Sequence, residues 1–206
     1  MEKIILTEHL ILRPFEIIDA ESMYRNVHGD RETALSLNEE AFTDISQTEH
    51  FIAQRIPHYG RRHFYDWAVI VKQTRQAVGE INAAYSSSEN AADIGYVIGA
   101  AYRRRGYASE AVKAVSEFLF DEGIETVYGA CRTDNTASIR VMEKCIKDAE
   151  ECPGFEKPVI VLKDMLYQLT SLRNSSTWDE VIRKKNIDYG RLTFPRKNPD
   201  PELSDR

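Results

Sequence analysis

The residue pattern changes period sharply between Gly99 and Gly106. Upstream, Ala91-Ala92-Asp93-Ile94-Gly95-Tyr96-Val97-Ile98-Gly99 has strand composition, with glycines where most strands avoid them. Downstream, Ala108, Ala111, Val112, Val115, Phe118 and Leu119 recur at helical spacing, while Glu110, Lys113 and Glu117 point elsewhere. The link is the basic loop Tyr102-Arg103-Arg104-Arg105-Gly106-Tyr107. A strand followed by a loop and an amphipathic helix has to bury that helix against a sheet, which commits the chain to an α/β architecture.

The remaining segments fit around that unit. Ile4, Leu6, Leu10 and Leu12 predict an extended opening that stops at Arg13-Pro14, because proline cannot continue a ladder. Asp19 is placed to cap a short helix through Met23 and Val27. Ser46 or Thr48 is placed to cap a second helix carrying Phe51, Ile52, Arg55, Ile56 and Tyr59. Trp67–Val71 and Val78–Tyr85 predict an antiparallel hairpin around Lys72-Gln73-Thr74-Arg75-Gln76. After the long helix come a strand over Thr126–Arg132, a helix opened by Asp134 or Asn135 and running through Ile139, Met142 and Cys145, and a strand within Val159–Leu169. The expected fold is α/β (α+β), a mixed sheet covered by helices.

Chemistry concentrates at the loop. A helix start presents unpaired N–H groups and the positive end of the dipole, and glycine lets a ligand approach the backbone. With Arg103, Arg104 and Arg105 beside it, the start at Gly106 reads as an anion cradle suited to a diphosphate. Three arginines before a helix are also what an ordinary solvated loop carries. Neither a Gly-x-Gly-x-x-Gly sequence nor a Gly-Lys-Ser/Thr phosphate loop is present, which weakens dinucleotide and nucleoside-triphosphate readings.

Composition narrows the partners. The chain has 206 residues and a formal charge of −6, so a basic field for nucleic acid is lacking and an anionic ligand must be held locally. No apolar run approaches a membrane span, and Met1 leads straight into Lys3-Ile4-Ile5-Leu6, so neither a signal peptide nor an anchor is expected. Cys131, Cys145 and Cys152 are an odd number without metal-type spacing, which suits a reduced, cytoplasmic setting. His9, His28, His50, His58 and His63 form no ligand pattern either, so no metal is expected.

In this context Arg103-Arg104-Arg105-Gly106-Tyr107-Ala108 resembles the Arg/Gln-x-x-Gly-x-Gly/Ala coenzyme A signature of the GNAT (general N-acetyltransferase) superfamily. Four further stretches resemble its ribosomal-protein N-terminal acetyltransferase-like subgroup in the same order: Leu10-Ile11-Leu12-Arg13-Pro14, Trp67-Ala68-Val69, Ile94–Gly99, and Asn135–Lys144. Asp164-Met165-Leu166-Tyr167-Gln168-Leu169 is similar to the last strand of that subgroup, so the likeness runs from about Leu10 to Leu169. It implies a GNAT fold, with a mostly antiparallel sheet whose central strands splay apart. It also implies acetyl transfer from acetyl-CoA, without a metal, to a primary amine by direct attack. The acceptor would be a protein N-terminus or a small cationic amine.

The resemblance also assigns residues. The diphosphate would sit on the N–H groups of Arg104, Arg105, Gly106, Tyr107, Ala108 and Ser109, with Arg103 at the entrance. Backbone groups of Val97 and Ile98 would pair with the pantetheine arm like an added strand, and Asn135 would hydrogen-bond it. Asp93 stands where the subgroup usually has glutamate, which nominates it as a base acting through water. Its shorter side chain equally suits a solvated or structurally paired aspartate. Ser138 stands where some relatives place a serine near the sulfur, with Tyr167 a weaker proton donor, and a helical serine also simply bonds the preceding turn. Cys131 reads as a buried small hydrophobe, and Phe64, Tyr65, Trp67 and Tyr85 as core aromatics or pocket lining. A non-catalytic acyl-CoA-binding or sensing module of the same fold is the rival reading.

Two segments depart from the pattern. Lys144–Phe155 replaces the Leu-Gly-Phe that usually follows the late helix, with an acidic stretch inserted. From Ser171 onward eight basic residues face six acidic ones, and Phe194–Pro201 holds three prolines. One domain over 1–172 with an appendage over 173–206 is therefore expected. In the appendage Ser176 or Thr177 would cap a helix bearing Trp178, Val181 and Ile182, which would dock on its own domain or on a second copy of the chain.

Overall fold

A computed structural model describes residues 3–131 and 135–150, the last five by backbone, together with the backbone of Thr193–Phe194. The expected strand within 159–169 with its Tyr167, the part of the Lys144–Phe155 stretch beyond Glu150, the tail helix and the boundary at 172 lie outside the described residues. Contacts divide the chain into two units, Met1–Val127 and Tyr128–Arg206.

The first unit is built from β1 (Ile5–Leu6), β2 (Leu10–Arg13), α1 (Ala20–Met23), α2 (Arg31–Leu37), α3 (Ile45–Arg55), β3 (Tyr65–Val71), β4 (Ala77–Ser86), β5 (Ala91–Ile98) and α4 (Tyr107–Asp121), with β6 (Thr126–Tyr128) at its end. Its strands follow sequence order in the sheet, and β1 through β5 are each antiparallel to the next. From β5 the chain crosses through α4 to β6, the strand-helix-strand connection that joins parallel neighbours, which makes the sheet mixed. Among the described residues no helix is long and apolar enough to cross a membrane. In the second unit α5 spans Thr136–Glu150, and Thr193–Phe194 is a two-residue strand.

Several local details differ from the sequence expectations. The opening is a hairpin turning over Thr7–His9, with Ile5 opposite Leu12. Asp19 precedes α1 without capping it. Both its carboxylate oxygens are taken at 2.7 Å by Arg13, and one also accepts from the Glu16 amide, so an ion pair competes successfully for the cap. Past Met23 the helix widens into a π turn over Tyr24–His28. The cap of α3 is Asp44, two residues before Ser46 and four before Thr48, because Asp44 accepts from the Ser46 amide while Gln47 closes the capping box. The sequence pattern does not predict α2. Its Leu35 and Leu37 face solvent, so no apolar stripe marks it, although Asp30 caps it through the Thr33 amide and Asn38 ends it at φ +57°. β6 is shorter than the Thr126–Arg132 expected.

Strand alternation divides the core between the two sheet faces. On one face Ala68, Ile70 and Val97 pack with Phe15, Ala20, Met23 and Val27 and with Ile52 of α3. On the other, Trp67 is fully buried, and Phe118 of α4 meets the rings of Tyr65 and Trp67 edge-on. The Trp67 indole donates to the Lys3 carbonyl at 2.7 Å. These aromatics belong to the core.

The end of β5 is fixed by a close approach. Gly99 donates to the Val78 carbonyl at 2.9 Å, and a Cβ on it would fall 1.9 Å from the Asn26 carbonyl oxygen in the π turn. Asn26 in turn donates through Nδ2 to the Ala77 carbonyl. Backbone, not a flexible side chain, occupies the space a methyl would need. Gly99→Ala is expected to destabilise the protein by about 1–3 kcal/mol, as overpacking does. Urea unfolding checks this, and an unchanged midpoint would contradict the packing described.

Candidate functional site

Past Gly99 the chain makes a 3-10 turn over Ala100–Tyr102 and reaches the arginines. Thr33 of α2 accepts from the Ala100 amide at 2.9 Å, and the Tyr102 hydroxyl lies 3.0 Å from Gln76, so the loop is held at both ends of the turn. Arg104 and Gly106 both adopt left-handed backbone, at φ +60° and +85°. Gly106 occupies the N-cap of α4 with no side-chain cap, and the first helical bond runs from the Glu110 amide to its carbonyl. The amides of Gly106, Tyr107 and Ala108 therefore have no acceptor inside the helix. A side-chain cap would fill the space where these groups gather, and glycine leaves it open.

The three arginines divide their work. Arg103 turns inward: Nε donates to the Ile98 carbonyl at 3.1 Å, Nη2 donates to Ser36 at 2.9 Å, and Nη1 lies 3.6 Å from Glu32. It ties the loop to α2. Arg104 and Arg105 are exposed, and Arg105 leans over the Tyr102 ring while donating to the Ala101 carbonyl. Val97 and Ile98, both buried, face Glu80 and Gly79 across the β4–β5 ladder. Asp93 is half-buried on β5 opposite Ala84.

Asn135 and Ser138 lie in the second unit. Asn135 Oδ1 accepts from the Ser138 amide at 3.0 Å and so caps α5. Cys131 is a free, half-buried thiol pushed up by burial, with a hydrogen bond to Ser138 acting the other way. The structure thus brings together a cysteine and a serine that the sequence offers separately.

Two clusters escaped the sequence reading. On the sheet face covered by α1 and α3, the register brings Asp66, Glu80, Asn82 and Asp93 to one side, Asp66 opposite Asn82 and Glu80 opposite Ala68. Arg55 Nε pairs with Asp66 Oδ2 at 3.0 Å, and the Tyr59 hydroxyl lies 3.3 Å from the same oxygen. Asp66 Oδ1 and Glu80 Oε2 are shielded from solvent and have no hydrogen-bond partner among the described residues. Burial raises the carboxyl of Asp66, with Arg55 and Tyr59 opposing. Burial likewise pushes Glu80 up to about 7; Arg55 opposes this, and the neighbouring Asp66 and Glu39 add to it. The available signal was a carboxylate inside a strand whose neighbours are apolar.

The second cluster anchors the helix start. Glu110, in the first turn of α4, accepts from the Thr7 hydroxyl at 2.5 Å and the His9 amide at 2.7 Å, and its other oxygen lies 2.9 Å from His9 Nδ1. Burial works to raise its carboxyl, but the bonds from Thr7 and His9 outweigh that and hold it below the usual glutamate range. A carboxyl depressed in the folded state stabilises above its unfolded pKa, and that contribution fades as pH falls through the folded value. Glu110→Gln is therefore expected to cost about 1–3 kcal/mol near neutrality. Urea unfolding should show the gap to the parent narrowing below about pH 4; a gap independent of pH would contradict the assigned clamp.

Residues 9–145 match the family model described as acetyltransferase (GNAT) domain. An uncharacterized N-acetyltransferase of Bacillus subtilis, YoaA, is 30% identical over 173 residues, covering 82% of this chain and 90% of the relative. A GNAT-family acetyltransferase from Bacillus anthracis superposes with a TM-score of 0.59 at 30% identity, over 68% of this chain and 81% of that one. A ribosomal L7/L12 alpha-N-protein acetyltransferase, RimL, solved with coenzyme A, shares the fold at 20% identity and a TM-score of 0.59, over 69% of this chain and 82% of that one. With the family model spanning most of the described residues, the chain belongs to the GNAT acetyltransferase family.

Proposed function

We propose that the chain transfers an acetyl group from acetyl-CoA to a primary amine, either a protein N-terminus or a small cationic amine, by direct attack on the thioester. The observation that carries this reading is the open start of α4. It offers left-handed Gly106 at the N-cap without a side-chain cap, amides of Tyr107 and Ala108 that have no acceptor inside the helix, and exposed Arg104 and Arg105 alongside. These groups suit a diphosphate, because the helix dipole and the guanidinium charge favour an anion at the same point. Ser109 completes the first turn.

In this reading the role of Arg103 is to hold the loop rather than to face the ligand, since its guanidinium already serves Ile98, Ser36 and Glu32. Val97 and Ile98 supply backbone for the pantetheine arm. Asn135 as a pantetheine partner, Ser138 as a proton donor to the thiolate and Asp93 as a base through water are roles carried by the family resemblance alone. Holding amine and thioester in contact contributes much of the acceleration.

The first reacting nitrogen must be neutral, and an α-amine, with an ordinary pKa of about 7.7–8.0, loses its proton far more readily than a lysine-type amine at about 10.4. The structurally related RimL acts on a ribosomal-protein N-terminus, which fits the first acceptor class. A small cationic amine suits the net charge of −6.

Acetyl-CoA is expected to raise the melting temperature. A panel of amines and N-terminal peptides should then elicit free thiol, whereas a sensor would be stabilised without releasing any. Arg104→Glu is expected to weaken acetyl-CoA binding about tenfold or more by calorimetry, as loss of a charged contact does, with the unliganded melting temperature unchanged. Equal affinity in the variant would place the diphosphate elsewhere.

A further inference from the structure

Glu80 sits closer than Asp93 does to the Val97 and Ile98 backbone proposed for the pantetheine arm. It stands directly opposite Val97 in the β4–β5 ladder, whereas Asp93 lies four residues back along β5, roughly 13 Å away at strand rise. Glu80 also shares its sheet face with Asp66, and each presents one carboxylate oxygen that is shielded from solvent and has no hydrogen-bond partner among the described residues. The Asp66 side chain is only 5% exposed. A carboxylate oxygen so placed has lost hydration, and a donor arriving with a ligand would restore a partner to it.

The charges around the pair favour a cation. Arg55 from α3 serves Asp66 Oδ2, Tyr59 from the turn after α3 reaches the same oxygen, and Glu39 from the loop before α3 adds a third negative group. Arg13 of β2 shares the face but is spent on Asp19. Glu80, Asp66 and Glu39 thus outnumber the guanidinium of Arg55, with Asp93 further back on the same sheet face.

We propose that Glu80, seconded by Asp66, receives the acceptor as its primary ammonium and takes its proton, so that the base of the reaction is on β4 and not at Asp93. This rests on the acetyl-transfer reading above. The ammonium gives one proton to the Glu80 carboxylate and becomes a neutral amine. Its lone pair then forms the C–N bond at the thioester carbon, the C–S bond breaks, and the thiolate takes the nitrogen's second proton. The products are the acetylamide, free coenzyme A thiol and a protonated Glu80, which releases its proton to solvent. Burial brings Glu80 to about 7, a value matched to such a transfer at neutral pH, and Asp66 is a positioning residue that adds to this against Arg55.

The test uses the full chain, acetyl-CoA and the best amine from the panel, with thiol release followed from pH 5.5 to 9. For Glu80→Gln, stabilisation by acetyl-CoA is expected to match the parent, while kcat falls about 100-fold or more and the acidic limb of its pH profile disappears. Asp66→Asn provides a check that survives poor folding of the first variant. It removes the negative neighbour of Glu80 and leaves Arg55 unopposed, so the acidic limb should move to lower pH. The proposal is overturned if Glu80→Gln keeps kcat within about threefold with its limb in place. It is equally overturned if the limb vanishes in Asp93→Asn but not in Glu80→Gln, or does not move in Asp66→Asn. Stabilisation of the parent by acetyl-CoA without thiol release from any amine would instead overturn the acetyl-transfer reading, and this proposal with it.

Discussion

The contact between Gly99 and the Asn26 carbonyl oxygen is the constraint on which the rest of the first unit depends. It lets the end of β5 press against the π turn, and it does so with backbone on both sides, where no side chain fits. From that point Thr33 receives the Ala100 amide and Arg103 clamps the loop to α2, so the chain enters α4 at a defined angle. On the other flank Glu110 joins the first turn of α4 to the β1–β2 hairpin. The helix start is thereby held from two sides while its first amides have no acceptor inside the helix.

That arrangement reconciles an acidic chain with an anionic cosubstrate. The charge of −6 is an average, and the proposed diphosphate site draws on amides and on Arg104 and Arg105, which are local. Glu110 in the same turn would oppose an anion if its charge were loose. Instead it is engaged by Thr7 and His9. Acidic groups collect on the opposite sheet face, between β3, β4 and α3, where the proposed amine would arrive as a cation.

Much of the fold was legible in the sequence because it rests on periodicity. The hairpin over β3 and β4, the strand to Ile98 and the helix from Tyr107 follow alternation and helical spacing closely. Where two local interactions compete, the pattern was silent: Asp19 is a good cap in composition, yet Arg13 claims it. α2 escaped because its leucines face outward, so its stability comes from the Asp30 cap and its contacts rather than an apolar stripe. At the site, the arginine loop was visible as a motif, but the division of labour among the three arginines depends on α2, which the sequence did not reveal. Asp66 and Glu80 meet only through strand register, which no spacing rule carries.

The proposed diphosphate seat of this GNAT acetyltransferase is the open start of α4. Backbone amide shifts measured by nuclear magnetic resonance test it most directly, comparing coenzyme A with pantetheine, which lacks the diphosphate. Coenzyme A is expected to move the amides of Gly106, Tyr107 and Ala108 strongly while pantetheine leaves them in place. Equal responses to the two ligands, or coenzyme A shifts confined to other segments, would contradict it.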